Sequence, residues 1–269
     1  MQVLGHRGAR LVAPENTIEA FRAALDEGAD GVELDVRQTA DGALVCFHDA
    51  ALGRTTDGRG LLREHTLAEV ASLDAGAWPR LTWGRLDGGS KPARGGGLPQ
   101  PPRPYRGVRV PTLAEALDAL PPSALVDVEV KARGEGPQGP KDVAAALAAV
   151  LAGRSDGGRV MVSSFSRRVA AAAAAELPGI RIGLVTPSFV PLARALRAAE
   201  GTGCSVLAAH VTAFLGSKAK VVARRANDEG VLLLAWTVDD PRTAERLRDL
   251  GVAVVVSDHP GRLVRNLRS

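Results

Sequence analysis

Only two cysteines, Cys46 and Cys204, occur in 269 residues. They cannot build a disulfide framework, and their spacing is not that of a metal-binding cluster. Aromatic residues make up just 3% of the chain, too few for a base-stacking platform. Apolar runs are short: Val231–Trp236 is among the longest, far below the roughly 20 residues that cross a bilayer. Met1-Gln2-Val3-Leu4-Gly5-His6 lacks the basic and apolar regions of a signal peptide. These absences predict a cytoplasmic protein without stable membrane insertion. Lysine is also scarce, with 5 Lys against 29 Arg. The net charge is +4, but the bases are scattered among acids instead of clustered, so nucleic-acid binding is not expected.

What is present is an ordinary globular balance, 45% hydrophobic and 24% charged. Short β-branched runs alternate with longer Ala/Leu/Arg stretches of helical spacing. The runs Gln2–His6, Gly31–Arg37, Ala124–Val130, Val160–Ser163, Arg181–Leu184, Val206–Ala209, Val231–Thr237 and Ala253–Ser257 read as strands. Helices are predicted over Thr17–Glu27, Leu113–Ala119, Asp142–Ala152, Arg167–Glu176, Pro191–Ala199, Lys218–Asn227, Pro241–Asp249 and Pro260–Asn266. Thr112 with Glu115 reads as a capping box, and Pro241 and Pro260 suit first helical positions. Eight such units over about 250 residues predict an α/β fold, a (β/α)8 barrel, and not an open doubly wound sheet. One region breaks the rhythm. Ala43–His48 is an extra strand-like run, followed by a stretch without regular alternation. We read 1–269 as one barrel domain with 49–107 inserted after the second barrel strand. The Gly/Pro/Arg-rich part, Asp87–Pro104, reads as a surface loop.

The chemistry-bearing residues fall at strand positions. Side chains at i and i+2 of a strand share a face. Glu33 and Asp35 therefore point one way from Gly31–Arg37, while Val32, Leu34 and Val36 point the other. Two like charges this close are unfavourable unless a cation lies between them. Asp127, Glu129 and Lys131 repeat the pattern. Glu129 and Lys131 lie towards the C-terminal end of their strand, where barrel active sites are built. Glu33, Asp35 and Glu129 would form an oxygen-rich site for a divalent cation, Mg2+ or Ca2+ before Zn2+. Salt bridges to arginines inside the barrel are the competing explanation. His6-Arg7-Gly8 follows the first strand, and His48-Asp49 ends the extra run. Arg7 and Lys131 could neutralise a phosphoryl group while His6 and His48 move protons. Gly8 would let backbone approach a phosphate. His210 closes its strand and could reach the mouth, whereas His65 and His259 read as surface residues.

The order of motifs is more specific than any single residue. His6-Arg7-Gly8-Ala9, Pro14-Glu15-Asn16-Thr17, Glu33-Leu34-Asp35-Val36, Thr39-x-Asp41-Gly42 and His48-Asp49 are followed by Leu52-x-Arg54-Thr55-Thr56-x-Gly58-x-Gly60. Leu73-Asp74-Ala75-Gly76, Val110-Pro111-Thr112-Leu113-x-Glu115, Glu129-Val130-Lys131, Ser164-Phe165, Trp236-Thr237-Val238-Asp239 and Ser257-Asp258-His259-Pro260 complete the series. In this the chain resembles the glycerophosphodiester phosphodiesterase family over nearly its whole length.

The resemblance implies a phosphoric diester hydrolase on a (β/α)8 TIM barrel. Glu33, Asp35 and Glu129 would hold a divalent cation, and His6 and His48 would be the proton-transfer pair. Arg7 and Lys131 would hold the phosphate, and Trp236 would form an apolar wall beside the glycerol. Glu15 and Asn16 would support the first loop or belong to a helix start. The expected substrate is a small glycerophosphodiester, cleaved to sn-glycerol 3-phosphate and an alcohol. A cyclic phosphate formed by the glycerol 2-hydroxyl is an open alternative. The competing substrates are lysophospholipid or sphingolipid head groups. These need an apolar rim, for which the insertion offers only Trp83, Leu86, Leu98 and Tyr105. The stretch from Gly76 to Tyr105 departs from the small bacterial members in length and composition. The residues do not settle the oligomeric state.

Overall fold

The computed structural model describes residues 1–76, 105–131, 139–154 and 158–268. Eight parallel strands close into a barrel: β1 (Gln2–His6), β2 (Gly31–Gln38), β4 (Leu125–Val130), β5 (Val160–Ser164), β6 (Arg181–Thr186), β7 (Val206–His210), β8 (Leu232–Trp236) and β9 (Val254–Ser257). The ring closes because β1 pairs with both β2 and β9. A ninth strand, β3 (Leu44–Cys46), joins the open edge of β2 in antiparallel sense. This is the expected (β/α)8 architecture.

Alternation builds the layers. Val32, Leu34, Val36, Val126, Val128 and Val130 pack outwards against the helices. Leu4, Met161, Val185, Ala208, Leu234 and Val256 fill the barrel interior. A third apolar cluster, with Val45, Phe47, Leu52, Leu62 and Val70, lies beyond β3 under the segments that follow it. Cys46 is buried in the main core, as its phase along the strand suggests.

The helices are α1 (Ile18–Asp26), α2 (Leu67–Ala71), α3 (Leu113–Ala119), α4 (Pro140–Leu151), α5 (Arg167–Glu176), α6 (Leu192–Glu200), α7 (Ala219–Asp228), α8 (Pro241–Asp249) and α9 (Pro260–Leu267). The capping box of Thr112 with Glu115 forms at α3, and Pro241 and Pro260 open α8 and α9. Helix α2 was not expected, although Thr66 and Glu69 carry the same capping-box signal. At five residues it is too short to show apolar periodicity. Among the described residues, no helix is long and apolar enough to cross a membrane. Trp83, Leu86, Leu98 and Asp87–Pro104 lie outside the described residues. His65 and His259, read as surface residues, are half-buried. His65 Nδ1 lies 2.9 Å from the Leu61 carbonyl oxygen, and the His259 backbone N–H donates to Ser257 Oγ at 3.0 Å.

Candidate active site

Strand register assembles the site at the C-terminal mouth. In β1 and β2, His6 stands beside Glu33; in β2 and β4, Asp35 stands beside Glu129. Each side chain shares its strand's inward face, so a carboxylate cluster forms across two neighbouring strands. Oxygens of Glu33, Asp35 and Glu129 lie within 4.8 Å of one another. Glu33 Oε1 is buried without a hydrogen-bond partner among the described residues. Burial, reinforced by the charges of Asp35 and Glu129, raises the Glu33 carboxyl well above its ordinary range. Burial also raises Glu129. Such a cluster is compatible with a divalent cation, which would let all three groups ionise together.

One cation is already built in. The Lys131 ammonium pairs with Glu129 and lies 3.0 Å from Asp35 Oδ1. Arg7 Nε reaches the other Asp35 oxygen at 3.1 Å. Burial alone would raise Asp35, but Lys131 and Arg7 hold it far below its usual range. Asp127, two residues before Glu129 on β4, has no ion pair among the described residues, and burial pushes it up to about 7. The salt-bridge explanation weighed against a metal site therefore applies to Asp35, while Glu33 Oε1 remains unsatisfied.

The loop after β1 is held from several sides. Arg7 has φ 57° and its backbone N–H donates to Glu33 Oε2 at 2.9 Å. Gly8 (φ 80°) has a steric requirement that the sequence reading did not include: a Cβ there would meet the Ala20 backbone at 2.4 Å. Close packing of the loop on α1 requires the glycine. Glu15 accepts from Arg7 Nη1 at 2.9 Å and binds Arg54 through both oxygens at 2.7 and 3.1 Å. Burial opposes its ionisation, yet Arg7, Arg54 and Arg10 bring its pKa down to about 2. Asn16 brackets Asp35, donating to Oδ2 at 2.8 Å and accepting from its backbone N–H at 3.0 Å. Thr17 is the N-cap of α1. Glu15 and Asn16 thus brace the charged cluster directly.

Both histidines are oriented by aspartates. His6 Nδ1 lies 2.6 Å from Asp258 Oδ1, and His6 Nε2 lies 4.0 Å from Glu33 Oε2. His48 Nδ1 lies 2.6 Å from Asp49 Oδ1. In a neutral imidazole, an Nδ1–H donated to each aspartate leaves Nε2 as the unprotonated ring nitrogen. Burial, with help from the Arg7 charge, lowers His6 below its ordinary pKa against the opposing pull of Asp258.

The far side of the mouth is aromatic. Trp236 packs edge-on against Phe165 at 5.5 Å and His210 at 5.1 Å, measured between ring centroids. Lys131 Nζ sits 5.5 Å from the Phe165 centroid. His210 therefore reaches the mouth, on the aromatic wall and away from the carboxylates. Sequence reasoning assigned no role to Arg10, Arg54, Phe165 or Asp258. Asp258 follows the last barrel strand, so the strand-end position was its available signal. Arg54 carried no such signal, because its partner Glu15 comes from a different loop.

An acid-and-base cluster of this kind at the C-terminal mouth of a (β/α)8 barrel defines the class as a barrel enzyme equipped for anionic substrates. Comparisons narrow it. Residues 6–262 match the model of the glycerophosphoryl diester phosphodiesterase family. The chain is 31% identical over 269 residues to a glycerophosphodiester phosphodiesterase of Caldanaerobacter subterraneus, covering 99% of this chain and 97% of that one. It is 31% identical over 267 residues to a Bacillus subtilis glycerophosphodiester phosphodiesterase, covering 96% and 83%. An Oleispira antarctica phosphodiesterase, solved with the product sn-glycerol-3-phosphate, superposes with a TM-score of 0.79 at 29% identity, covering 100% of this chain and 97% of that one. The chain belongs to the glycerophosphoryl diester phosphodiesterase family and is a phosphoric diester hydrolase.

Proposed function

We propose that this enzyme hydrolyses small glycerophosphodiesters to sn-glycerol 3-phosphate and an alcohol, with His6 and His48 transferring protons beside a divalent cation. The observation that carries this reading is the pair of aspartate-oriented histidines set against the Glu33–Asp35–Glu129 cluster. Glu33, Asp35 and Glu129 would hold Mg2+ or Ca2+, which when bound supplies Lewis-acid polarisation of a phosphoryl oxygen. Arg7 and Lys131 neutralise the phosphate, and Trp236 walls the glycerol. His6, kept neutral by burial, takes the proton of the attacking oxygen, which comes from water or from the glycerol 2-hydroxyl. The bond from phosphorus to the head-group oxygen breaks, and His48 protonates that leaving oxygen; where the 2-hydroxyl was the attacker, water then opens the resulting cyclic phosphate to glycerol 3-phosphate. Residues 49–107 are proposed as an insertion within this single barrel domain.

The test is release of glycerol 3-phosphate from glycerophosphocholine, glycerophosphoethanolamine and glycerophosphoglycerol, in Mg2+, Ca2+ and EDTA arms, with a lysolipid alongside. Turnover of at least one soluble diester supports the reading. Hydrolysis confined to the lysolipid would transfer the assignment to lipid substrates.

A further inference from the structure

Among the described residues, the loops after β5, β6 and β7 are unlike the rest of the mouth. They carry large apolar side chains in water: Phe165 is 41% exposed, Leu215 65% and Phe189 82%. Single exposed apolar residues are unremarkable, but three on consecutive loops of one face are not. They are also joined to one another and to the site. Thr212 Oγ1, after β7, donates to the Ser188 carbonyl, next to Phe189, at 3.0 Å. His210 Nδ1 lies 2.9 Å from the same hydroxyl, and its ring packs on Trp236, which packs on Phe165.

The charge on these segments is of one sign. Residues 164–168, 187–194 and 211–220 contain no Asp or Glu. They carry Arg168, Arg194, Lys218 and Lys220, all exposed and none with an acidic partner among the described residues. Apolar tips ringed by unpaired bases match an anionic lipid surface: the tips enter the acyl boundary while the bases meet the headgroups. A water-soluble partner protein of neutral or basic surface would leave the bases uncompensated.

We infer that the β5–β7 side of the mouth docks on an anionic bilayer, with Phe189 and Leu215 inserted at the interface. Docking is peripheral and reversible, and it holds the barrel mouth towards the headgroup layer. It does not depend on the reaction assigned above, because its readout is binding.

The experiment is co-sedimentation of the full chain with phosphatidylcholine vesicles with and without phosphatidylglycerol. The wild type is expected to bind the anionic vesicles at least about tenfold better than the neutral ones. F189S/L215S, which alters two exposed side chains, is expected to lose about tenfold or more of that binding. It should keep wild-type turnover of soluble glycerophosphocholine and wild-type thermal unfolding. K218E/K220E should lose the preference for phosphatidylglycerol. Equal binding to both vesicle types, or unaltered binding by F189S/L215S, would overturn the inference. Self-association without lipid that the same double variant abolishes would overturn it too, making a second copy the occupant. Should glycerophosphocholine and the other soluble diesters prove inert, the reaction assignment fails while the vesicle result still stands or falls by itself.

Discussion

On the β1, β2 and β4 side of the mouth Arg7, Glu15, Asp35, Glu129 and Lys131 are ion-paired, with Glu33 Oε1 left unsatisfied; on the β5–β7 side the bases Arg168, Arg194, Lys218 and Lys220 have no acidic partner among the described residues. Arg7, Glu15, Asp35 and Lys131 are buried and tied to one another. Phe189 and Leu215 face solvent, and the bases beside them have no acidic partners among the described residues. Burying a charge is tolerable only inside a network that satisfies it, which fixes geometry to within hydrogen-bond tolerance. An exposed apolar tip needs no such network, and its geometry matters less than its presence. The paired half is therefore expected to carry the chemistry and much of the local rigidity, and the open half to carry contact with what lies outside.

The contrast breaks most sharply at the carboxylates. Glu33→Ala or Glu129→Ala should abolish measurable turnover, a loss of more than about 10³-fold. Chelation should do the same to the wild type, with activity restored by added divalent cation. Undiminished turnover in excess EDTA would remove the cation from the mechanism. Next come the histidines. His6→Ala and His48→Ala should each lower kcat by about 10²–10⁴ with a smaller change in KM, measured by steady-state kinetics on a soluble diester. Near-wild-type kcat in both variants would return the acid–base roles to other groups.

Stability separates the halves at a smaller scale. Glu15→Gln leaves Arg7, Arg10 and Arg54 short of their common carboxylate and should cost about 3 kcal/mol. Because the folded pKa, about 2, lies below the ordinary 4.5, the contribution is fully present above the ordinary value and fades as pH falls through 4.5 towards 2. The gap in unfolding free energy between wild type and Glu15→Gln should therefore narrow over that window, and a constant gap would contradict the ion network. Smallest is Trp236→Leu, which keeps an apolar wall but loses the edge-on contacts with Phe165 and His210. A change in kcat/KM of about tenfold or less is expected, appearing mainly in KM.

How much of this was legible beforehand depended on distance along the chain. Glu33 with Asp35, and Asp127 with Glu129, are spaced at two residues, so alternation alone placed them on the inward face. The order of the motifs supplied the family, and with it the proposed partnership of His6, His48 and Trp236. The brace between Glu15 and Arg54, 39 positions apart, could not be read, because pairing between loops has no local period. Gly8 was legible as a special position, but its close packing on the Ala20 backbone, from a helix twelve residues on, was not. The exposed apolar tips escaped for another reason. A lone Phe or Leu in a loop looks like core until the burial is known, and attention fell on Trp83, Leu86 and Leu98 instead.

The contact between His6 and Asp258 spans 252 positions. It forms only when β1 has met β9 and the ring is shut. A fragment ending before the last strand, or an intermediate with the ring open, lacks the Asp258 contact on that imidazole. With His6 in the proposed proton-transfer role, the onset of turnover during refolding is expected to follow barrel closure, a contact of high sequence separation and therefore slow to form. Fluorescence of a W78F/W83F variant, in which Trp236 is the one tryptophan left, and the return of turnover, followed side by side, would separate local collapse from the final stitch.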